Sequence, residues 1–447
     1  MPDSPLSMEL KQVLSAKLAD SLNEPLSRFT PRAVFGTIYM RGKVTAVIGM
    51  RRAGKTTFLH QQRLRRMEDG VPQPALPYVN FEDERLADLD GTQLGFLVEE
   101  HGRRFPELSE SGKVVWCFDE IQLVPGWERF VRRLLDTGNT EIFVTGSSAA
   151  LLSREVATAL RGRAWEVPIY PFSFAEALIH GGQDLPASPD FLSSAQRARI
   201  ERAFADWLIA GGFPEAQGLE AASRNQLLRD YVDVAILRDV VERHEVRNVT
   251  GLRWLVRHML GNAAGIFSIE KFYSALKSQG IAISKDTLHQ LLAHLEDCFL
   301  VRLAWMESNS ERQRMVNPRK TYPVDPALIP LFDRSGRKNV GHALETAVLI
   351  ELERRRNDIT YVRTPSGYEV DFLARGADGN EVLVQVCADA SDPLTADREL
   401  RALGEAGEMF PHAKKRLLTL TRDGAPAVAP DDVVVEPAYV WMLSESR

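Results

Sequence analysis

Gly49-Met50-Arg51-Arg52-Ala53-Gly54-Lys55-Thr56 constrains this chain more than any other stretch. Two glycines stand with four residues between them, and Lys-Thr follows the second. The run before it, residues 44–48, is short, apolar and rich in β-branched side chains, as a buried parallel strand would be. Residues 57–64 read as the start of a helix. A strand that turns through glycines into a helix lets backbone N–H groups wrap a triphosphate. Gly49, Arg51, Arg52, Ala53, Gly54, Lys55, Thr56 and Thr57 are therefore the expected nucleotide contacts. Lys55 would reach the β- and γ-phosphates, and the Thr56 hydroxyl would hold Mg²⁺. ATP and Mg²⁺ are the expected cofactors.

A second motif follows about 60 residues later. Val114-Val115-Trp116-Cys117-Phe118-Asp119-Glu120 reads as an apolar strand ending in two acids. At such a strand end Asp119 would hold Mg²⁺ through water, and Glu120 would polarise the attacking water as its base. Val144-Thr145-Gly146-Ser147-Ser148 ends a further strand. Ser147 is the first choice to orient the water or sense the γ-phosphate, and Thr145 the second. The alternative is a helix N-cap, which Ser148 would supply for a helix over 149–160.

Strands are expected at 44–48, 78–81, 114–118, 142–145 and 165–170, with helices between them, such as 127–136. That rhythm predicts an α/β fold with a parallel sheet covered on both faces. The chain of 447 residues has room for more than one domain. We expect a helical lead-in over 1–40, the P-loop core over 41–180 and a helical lid or connector over 181–245, interrupted at Gly211-Gly212-Phe213-Pro214. Three amphipathic helices follow. Leu252, Leu255, Val256 and Met259 line the first, Ile269, Phe272, Tyr273 and Leu276 the second, and Leu288, Leu291, Leu292 and Leu295 the third. Strand-like runs at 299–305 and 315–324 complete the order of a winged helix over 246–325. A final α+β unit covers 326–447.

Several quoted segments resemble one family. They are residues 49–57, Asn80-Phe81-Glu82-Asp83-Glu84-Arg85-Leu86, and Asp119-Glu120-Ile121-Gln122 with Trp127. Thr145-Gly146-Ser147-Ser148, Leu160-Arg161-Gly162-Arg163 and Gly211-Gly212-Phe213-Pro214-Glu215 belong with them. Together they are similar to prokaryotic ATP-binding proteins that join an AAA+ ATPase to a C-terminal domain of unknown function similar to PD-(D/E)XK nucleases. The resemblance implies an AAA+ core and a homo-oligomer. It also implies an arginine reaching into the neighbouring subunit's site, Arg163 first and Arg161 in reserve. The bland alternative is a surface arginine paired with Glu166 or Glu155.

The same resemblance sets positions in the tail. Glu345 matches the helix acid of such nucleases and Asp371 the strand acid. Gln385 stands where a second acid belongs, and Cys387 where the lysine belongs. Glutamine brings no charge to a hard cation and cysteine no fixed charge to a phosphate, so a degenerate, non-catalytic domain is expected.

Net charge is −6, which argues against a chain that is basic throughout. Between 312 and 338, however, Arg312, Arg314, Arg319, Lys320, Arg334, Arg337 and Lys338 face only Asp325 and Asp333, a local +5. Lys285, Thr287, His289 and Gln290 would lie at the exposed end of the third helix. DNA is thus a possible partner through the winged helix and this region, and a protein is the alternative. Cys117, Cys298 and Cys387 show no metal-ligand spacing, and no apolar run is long enough for a membrane span. A cytoplasmic protein is expected. The leading reading is a Mg²⁺-dependent ATPase coupled to DNA or to a protein partner. A slow nucleotide-gated assembly switch is second, and an ATP-regulated nuclease third.

Overall fold

Five strands build the first sheet: β1 (Val44–Ile48), β2 (Tyr78–Asn80), β3 (Val115–Asp119), β4 (Glu141–Gly146) and β5 (Ala164–Pro168). Their order is β2-β3-β4-β1-β5, and every neighbouring pair runs parallel. All residues of β1 and β3 are buried, which explains why both read as unbroken apolar runs. The computed structural model describes residues 6–111, 114–137, 140–146, 160, 162–334 and 339–444. It divides into two compact units, Met1–Ile169 and Tyr170–Arg447.

Helices α1 (Met8–Asn23), α2 (Lys55–Glu68), α3 (Gly95–Arg104), α4 (Pro106–Ser111) and α5 (Trp127–Thr137) belong to the first unit. The expected helix at 149–160 falls outside the described residues apart from Leu160. One core cluster joins Phe58 and Leu59 of α2 to Val47, Cys117, Phe143 and Val167 of four strands. Helix α1 is part of this unit: it buries Leu14 and Leu18, and the Arg63 guanidinium on α2 donates to the Ser21 carbonyl at 2.5 Å. The register sets Ile48 beside Gly146 and Asn80 beside Asp119. With all strands parallel, residues 49–56, 119–120 and 145 gather at one edge of the sheet, where ligands sit in open α/β folds.

The second unit holds β6 (Ile266–Phe267), β7 (Val301–Met306), β8 (Arg319–Pro323), β9 (Asp358–Arg363), β10 (Glu369–Arg375), β11 (Glu381–Val386), β12 (Lys414–Thr419) and β13 (Val433–Pro437). They form one sheet in the order β13-β12-β11-β10-β9-β7-β8-β6. The join is a short parallel ladder between β7 and β9, with Trp305 beside Thr360 and Met306 beside Tyr361. Its helices are α6 (Phe174–His180), α7 (Ser194–Ala210), α8 (Ala221–Val234), α9 (Val249–Gly261), α10 (Ile269–Ser278), α11 (Lys285–Asp297), α12 (Glu311–Val316), α13 (Ile329–Phe332), α14 (Val340–Arg354), α15 (Pro393–Met409) and α16 (Ala438–Ser444).

The amphipathic patterns place α9 and α11 correctly: all four expected residues on each are buried. Ser284 caps α11 by accepting the Thr287 N–H at 3.0 Å. The strand expected at 315–324 is corrected. Residues 311–316 are helical, because Ser310 accepts the Gln313 N–H as an N-cap, and β8 begins only after Pro318. The Gly211-Gly212 pair has a packing reason. A Cβ on Gly212 would lie 2.1 Å from the Phe172 carbonyl oxygen, and one on Gly211 2.1 Å from an Asp325 carboxylate oxygen. That buried carboxylate accepts N–H groups from Gly212 at 2.7 Å and Ala327 at 2.9 Å. Burial pushes its pKa up to about 6, against the pull of those two bonds.

The tail positions do converge, around a residue that sequence reading placed elsewhere. Lys320 of β8 is 2% exposed, so it does not belong to the surface patch assigned to it. Its Nζ lies 2.6 Å from Glu345 of α14, 3.0 Å from Asp371 and 3.1 Å from Glu369 of β10. Tyr322 donates its hydroxyl to the same Glu345 oxygen at 2.8 Å. Burial and the Asp371 charge push the Glu345 carboxyl up, to about 8. Burial works to lower the pKa of Lys320, but the surrounding acids outweigh it and hold it well above its ordinary value. Gln385 accepts the Asp371 N–H at 3.3 Å and donates to Glu399 at 2.6 Å, while Cys387 turns to the Asp389 carbonyl. Arg319 lies over the Trp305 ring at 3.6 Å, and Arg337 and Lys338 are outside the described residues.

Two stability outcomes follow from these buried groups. Asp325→Ala leaves two buried N–H groups unpaired and should cost roughly 2–4 kcal/mol in urea unfolding, with Asp325→Asn costing less because one acceptor oxygen remains. Equal losses would mean that the oxygen asparagine retains satisfies neither N–H. Lys320→Met strands three carboxylates and should cost roughly 3–5 kcal/mol. An unchanged unfolding midpoint would mean that the ion cluster does not form.

Candidate nucleotide site

Gly49 follows β1 with φ +150°, and a Cβ there would sit 2.1 Å from the Ile169 carbonyl oxygen, so only glycine fits. Gly54 takes φ +100° and opens α2 without a side-chain cap. The first N–H groups of α2 thus meet no capping side chain, and the positive end of its dipole lies at the loop. Between the glycines, Arg52 is held at φ +65° and is exposed, Ala53 is buried, and Arg51 pairs with Glu82 at 3.2 Å. Thr57 is half-buried on the first turn of α2.

Lys55 is buried and donates to the Gly49 and Met50 carbonyls at 3.1 and 3.2 Å. Its Nζ is 3.9 Å from a Glu120 carboxylate oxygen. The hub of the site is Asp119, wholly buried at the end of β3. One of its oxygens accepts from the Thr56 hydroxyl at 2.8 Å, the Tyr78 hydroxyl at 2.8 Å and the Asn80 amide at 3.3 Å. The other accepts from the Thr145 hydroxyl at 2.5 Å. Burial, reinforced by the Asp119 charge, raises the Tyr78 pKa far above the ordinary phenol value, so Tyr78 stays a donor.

Glu120 sits at φ +52°, ψ +40°, an uncommon region for a residue with a Cβ. Two bonds hold it there. Its N–H donates to the Thr145 hydroxyl at 2.8 Å, and its carboxylate accepts the Gln122 amide at 2.5 Å. Thr145 therefore serves both acids. The structure brings Lys55, Thr56, Asp119, Glu120 and Thr145 together. Ser147, preferred on sequence, lies outside the described residues, as do Ser148 and Arg161.

Arg163 is not part of this cluster. Its carbonyl accepts the Val44 N–H at 2.8 Å, at the start of β1 and so at the opposite sheet edge from the loop. Its half-exposed guanidinium pairs with Asp136, while Glu155, one of the two acids weighed for it on sequence, lies outside the described residues. Sequence reading gave no site role to Tyr78, Asn80 or Gln122, although Asn80 and Gln122 lie in two of the quoted family segments. Polar residues ending an otherwise apolar strand, at 78–80, were the available signal for the first two. Among the described residues, no group of three or more His, Cys, Asp or Glu is arranged to hold a metal ion. The Thr56 hydroxyl and the Asp119 carboxylate are a hard-oxygen pair of the kind that suits Mg²⁺. No helix among the described residues is long and apolar enough to cross a membrane.

Comparison with known proteins agrees with this geometry. Residues 41–178 match the family model of the AAA domain, and residues 201–336 match a domain of unknown function, DUF8612. The uncharacterized protein MJ1544 of Methanocaldococcus jannaschii is 32% identical over 413 residues, covering 90% of this chain and 88% of that protein. An uncharacterized protein of Haemophilus influenzae is 30% identical over 336 residues, covering 75% and 80%. Among solved structures, the Walker-type ATPase of Pyrococcus abyssi is similar at 17% identity, covering 74% of this chain and 99% of that one, with a TM-score of 0.41. That likeness is too loose to bear on function. With a parallel sheet ordered β2-β3-β4-β1-β5, a glycine loop on β1 and kinship along nearly its full length, the chain belongs to the family of AAA-domain proteins that includes MJ1544.

Proposed function

We propose that this chain is a Mg²⁺-dependent ATPase whose cycle is coupled to DNA or to a protein partner. One observation carries the reading: the Thr56 hydroxyl meets the Asp119 carboxylate at 2.8 Å beside Glu120 and Lys55. Thr56 and Asp119 are the residues that would hold Mg²⁺, which when bound neutralises phosphate charge. Backbone N–H groups from 49 to 56 cradle the phosphates, and Lys55 turns from the loop carbonyls to the β- and γ-oxygens. Glu120 accepts the proton of the attacking water as the bond to the γ-phosphorus forms and the bond to the leaving ADP oxygen breaks. Thr145 fixes Asp119 and the Glu120 backbone, so the two acids keep their separate tasks.

Arg163 supports a cyclic or stacked homo-oligomer in this reading. It lies away from its own loop and is half-exposed, so it is free to leave Asp136 for a neighbour's phosphate. The order α9-β6-α10-α11-β7-β8, with β8 between β6 and β7, supports a winged-helix-like docking domain over 246–325. Residues 326–447 serve as a degenerate PD-(D/E)XK-like domain, with Gln385 and Cys387 in place of the acid and the lysine. The setting is cytoplasmic. A second reading, the slow assembly switch, draws on the Gln122 amide bound to the Glu120 carboxylate, since that bond withdraws the base from water. Steady-state turnover separates the two: stimulation by DNA favours the coupled machine, and indifference to DNA favours the switch.

Lys55→Ala should lose most ATP affinity, measured with a fluorescent ATP analogue. Glu120→Gln should bind ATP within a few-fold of wild type yet release phosphate roughly 10²–10⁴ times more slowly; undiminished release would remove Glu120 from its role. For the finger, Arg163→Ala subunits mixed with Glu120→Gln subunits should regain activity at some interfaces. If mixtures never exceed the sum of their parts, Arg163 does not act across subunits.

A further inference from the structure

Helix α9 buries Leu252, Leu255, Val256 and Met259 on one face. Its helical period therefore turns Arg253, Trp254 and Arg257 to the other. These side chains are exposed, and Trp254 keeps 42% of its surface open. Trp254 and Arg257 border a cleft of about 790 Å³ whose other walls come from α10, from α8 and from α13 with the segment after it. Lys271 comes from α10, Arg229 from α8 and Arg334 from beyond α13. A smaller cleft of about 240 Å³ shares Arg229 and Arg257 and adds Arg253. Five cations thus face two acids, Asp233 and Asp333, in a chain of net charge −6. Arg253, Arg257, Lys271 and Arg334 form no ion pair among the described residues, and Arg229 donates only to the Leu331 carbonyl.

We propose that this cleft binds single-stranded nucleic acid, its phosphates on the arginines and Lys271 and an unpaired base on the Trp254 indole. Unpaired guanidiniums lining the same cleft as an exposed indole suit a strand that carries both phosphates and free base faces. A duplex conceals those faces within its stack, and an acidic peptide has none. The end of α11, which sequence reading favoured, is the poorer candidate. Lys285 there is tied to Glu270 at 2.5 Å and lies over the Tyr273 ring, whereas the α9 cations are free of such partners. The inference rests on the nucleic-acid branch of the proposed function and narrows it to a strand type and a face.

The test is anisotropy of a fluorescein-labelled thirty-nucleotide oligothymidylate with the full chain and no ATP. Wild type should bind it more tightly than a duplex of equal length, with affinity falling steeply as salt rises. Trp254→Ala should weaken binding roughly tenfold. Arg257→Glu with Lys271→Glu should weaken it further and flatten the salt dependence. All of these positions are exposed, and unchanged thermal unfolding checks that each variant folds. An oligouridylate arm tells RNA from DNA. The proposal is overturned if the oligothymidylate does not bind, if Trp254→Ala and the charge reversals bind it as wild type does, or if duplex or polyglutamate binds equally well. Lys55→Ala separates the two readings: it should keep strand binding while losing ATP. Binding without ATPase activity would sink the proposed function and leave this site standing, and the converse would sink this site alone.

Discussion

A single buried carboxylate organises the nucleotide-binding unit. Asp119 takes hydrogen bonds from α2, from both ends of β2 and from the end of β4, through partners up to 63 residues away in sequence. A charge with no access to water is tolerated only where donors surround it, so its neighbours are constrained in type as well as position. Thr56 must offer a hydroxyl, and Thr145 must offer one that can also accept the Glu120 N–H. The sheet order makes this possible. Inserting β4 between β1 and β3 puts one side chain within reach of both acids while the loop on β1 stays one strand further on.

Much of this was legible because burial on both faces leaves a plain mark. Residues 44–48 form the strand expected of them, and the other four strands of the sheet fall within one or two residues of their apolar runs. The loop, Asp119 and Glu120 carry their chemistry in short contiguous motifs. Tyr78 and Asn80 do not. Both are ordinary polar residues until the pairing of β2 with β3 brings them beside Asp119, and no local spacing encodes that pairing; Gln122 lies two residues from Glu120, inside a quoted segment, and only its bond to that carboxylate went unread. The left-handed backbone of Glu120 is equally silent in sequence, since the Thr145 hydroxyl that takes its N–H comes from another strand.

In the second unit the hidden element is Lys320. On a linear reading it belongs to a basic run, and the residues flanking Glu345, Asp371 and Gln385 contain no cation to answer them. Only the parallel ladder between β7 and β9 extends the sheet far enough for β8 to deliver an ammonium to α14 and β10. The amphipathic helices α9 and α11 were readable for the opposite reason: their pattern is local and needs no partner to be seen.

That β7–β9 ladder also governs how the protein can be dissected. A truncation after residue 325 would turn β7 into a bare edge with unpaired backbone groups, an invitation to aggregate. It would also leave Lys320 without any of its three acids. A fragment ending there would test the stability of a severed sheet rather than the properties of a domain, so the hairpin and the tail are to be expressed, and interpreted, as one piece.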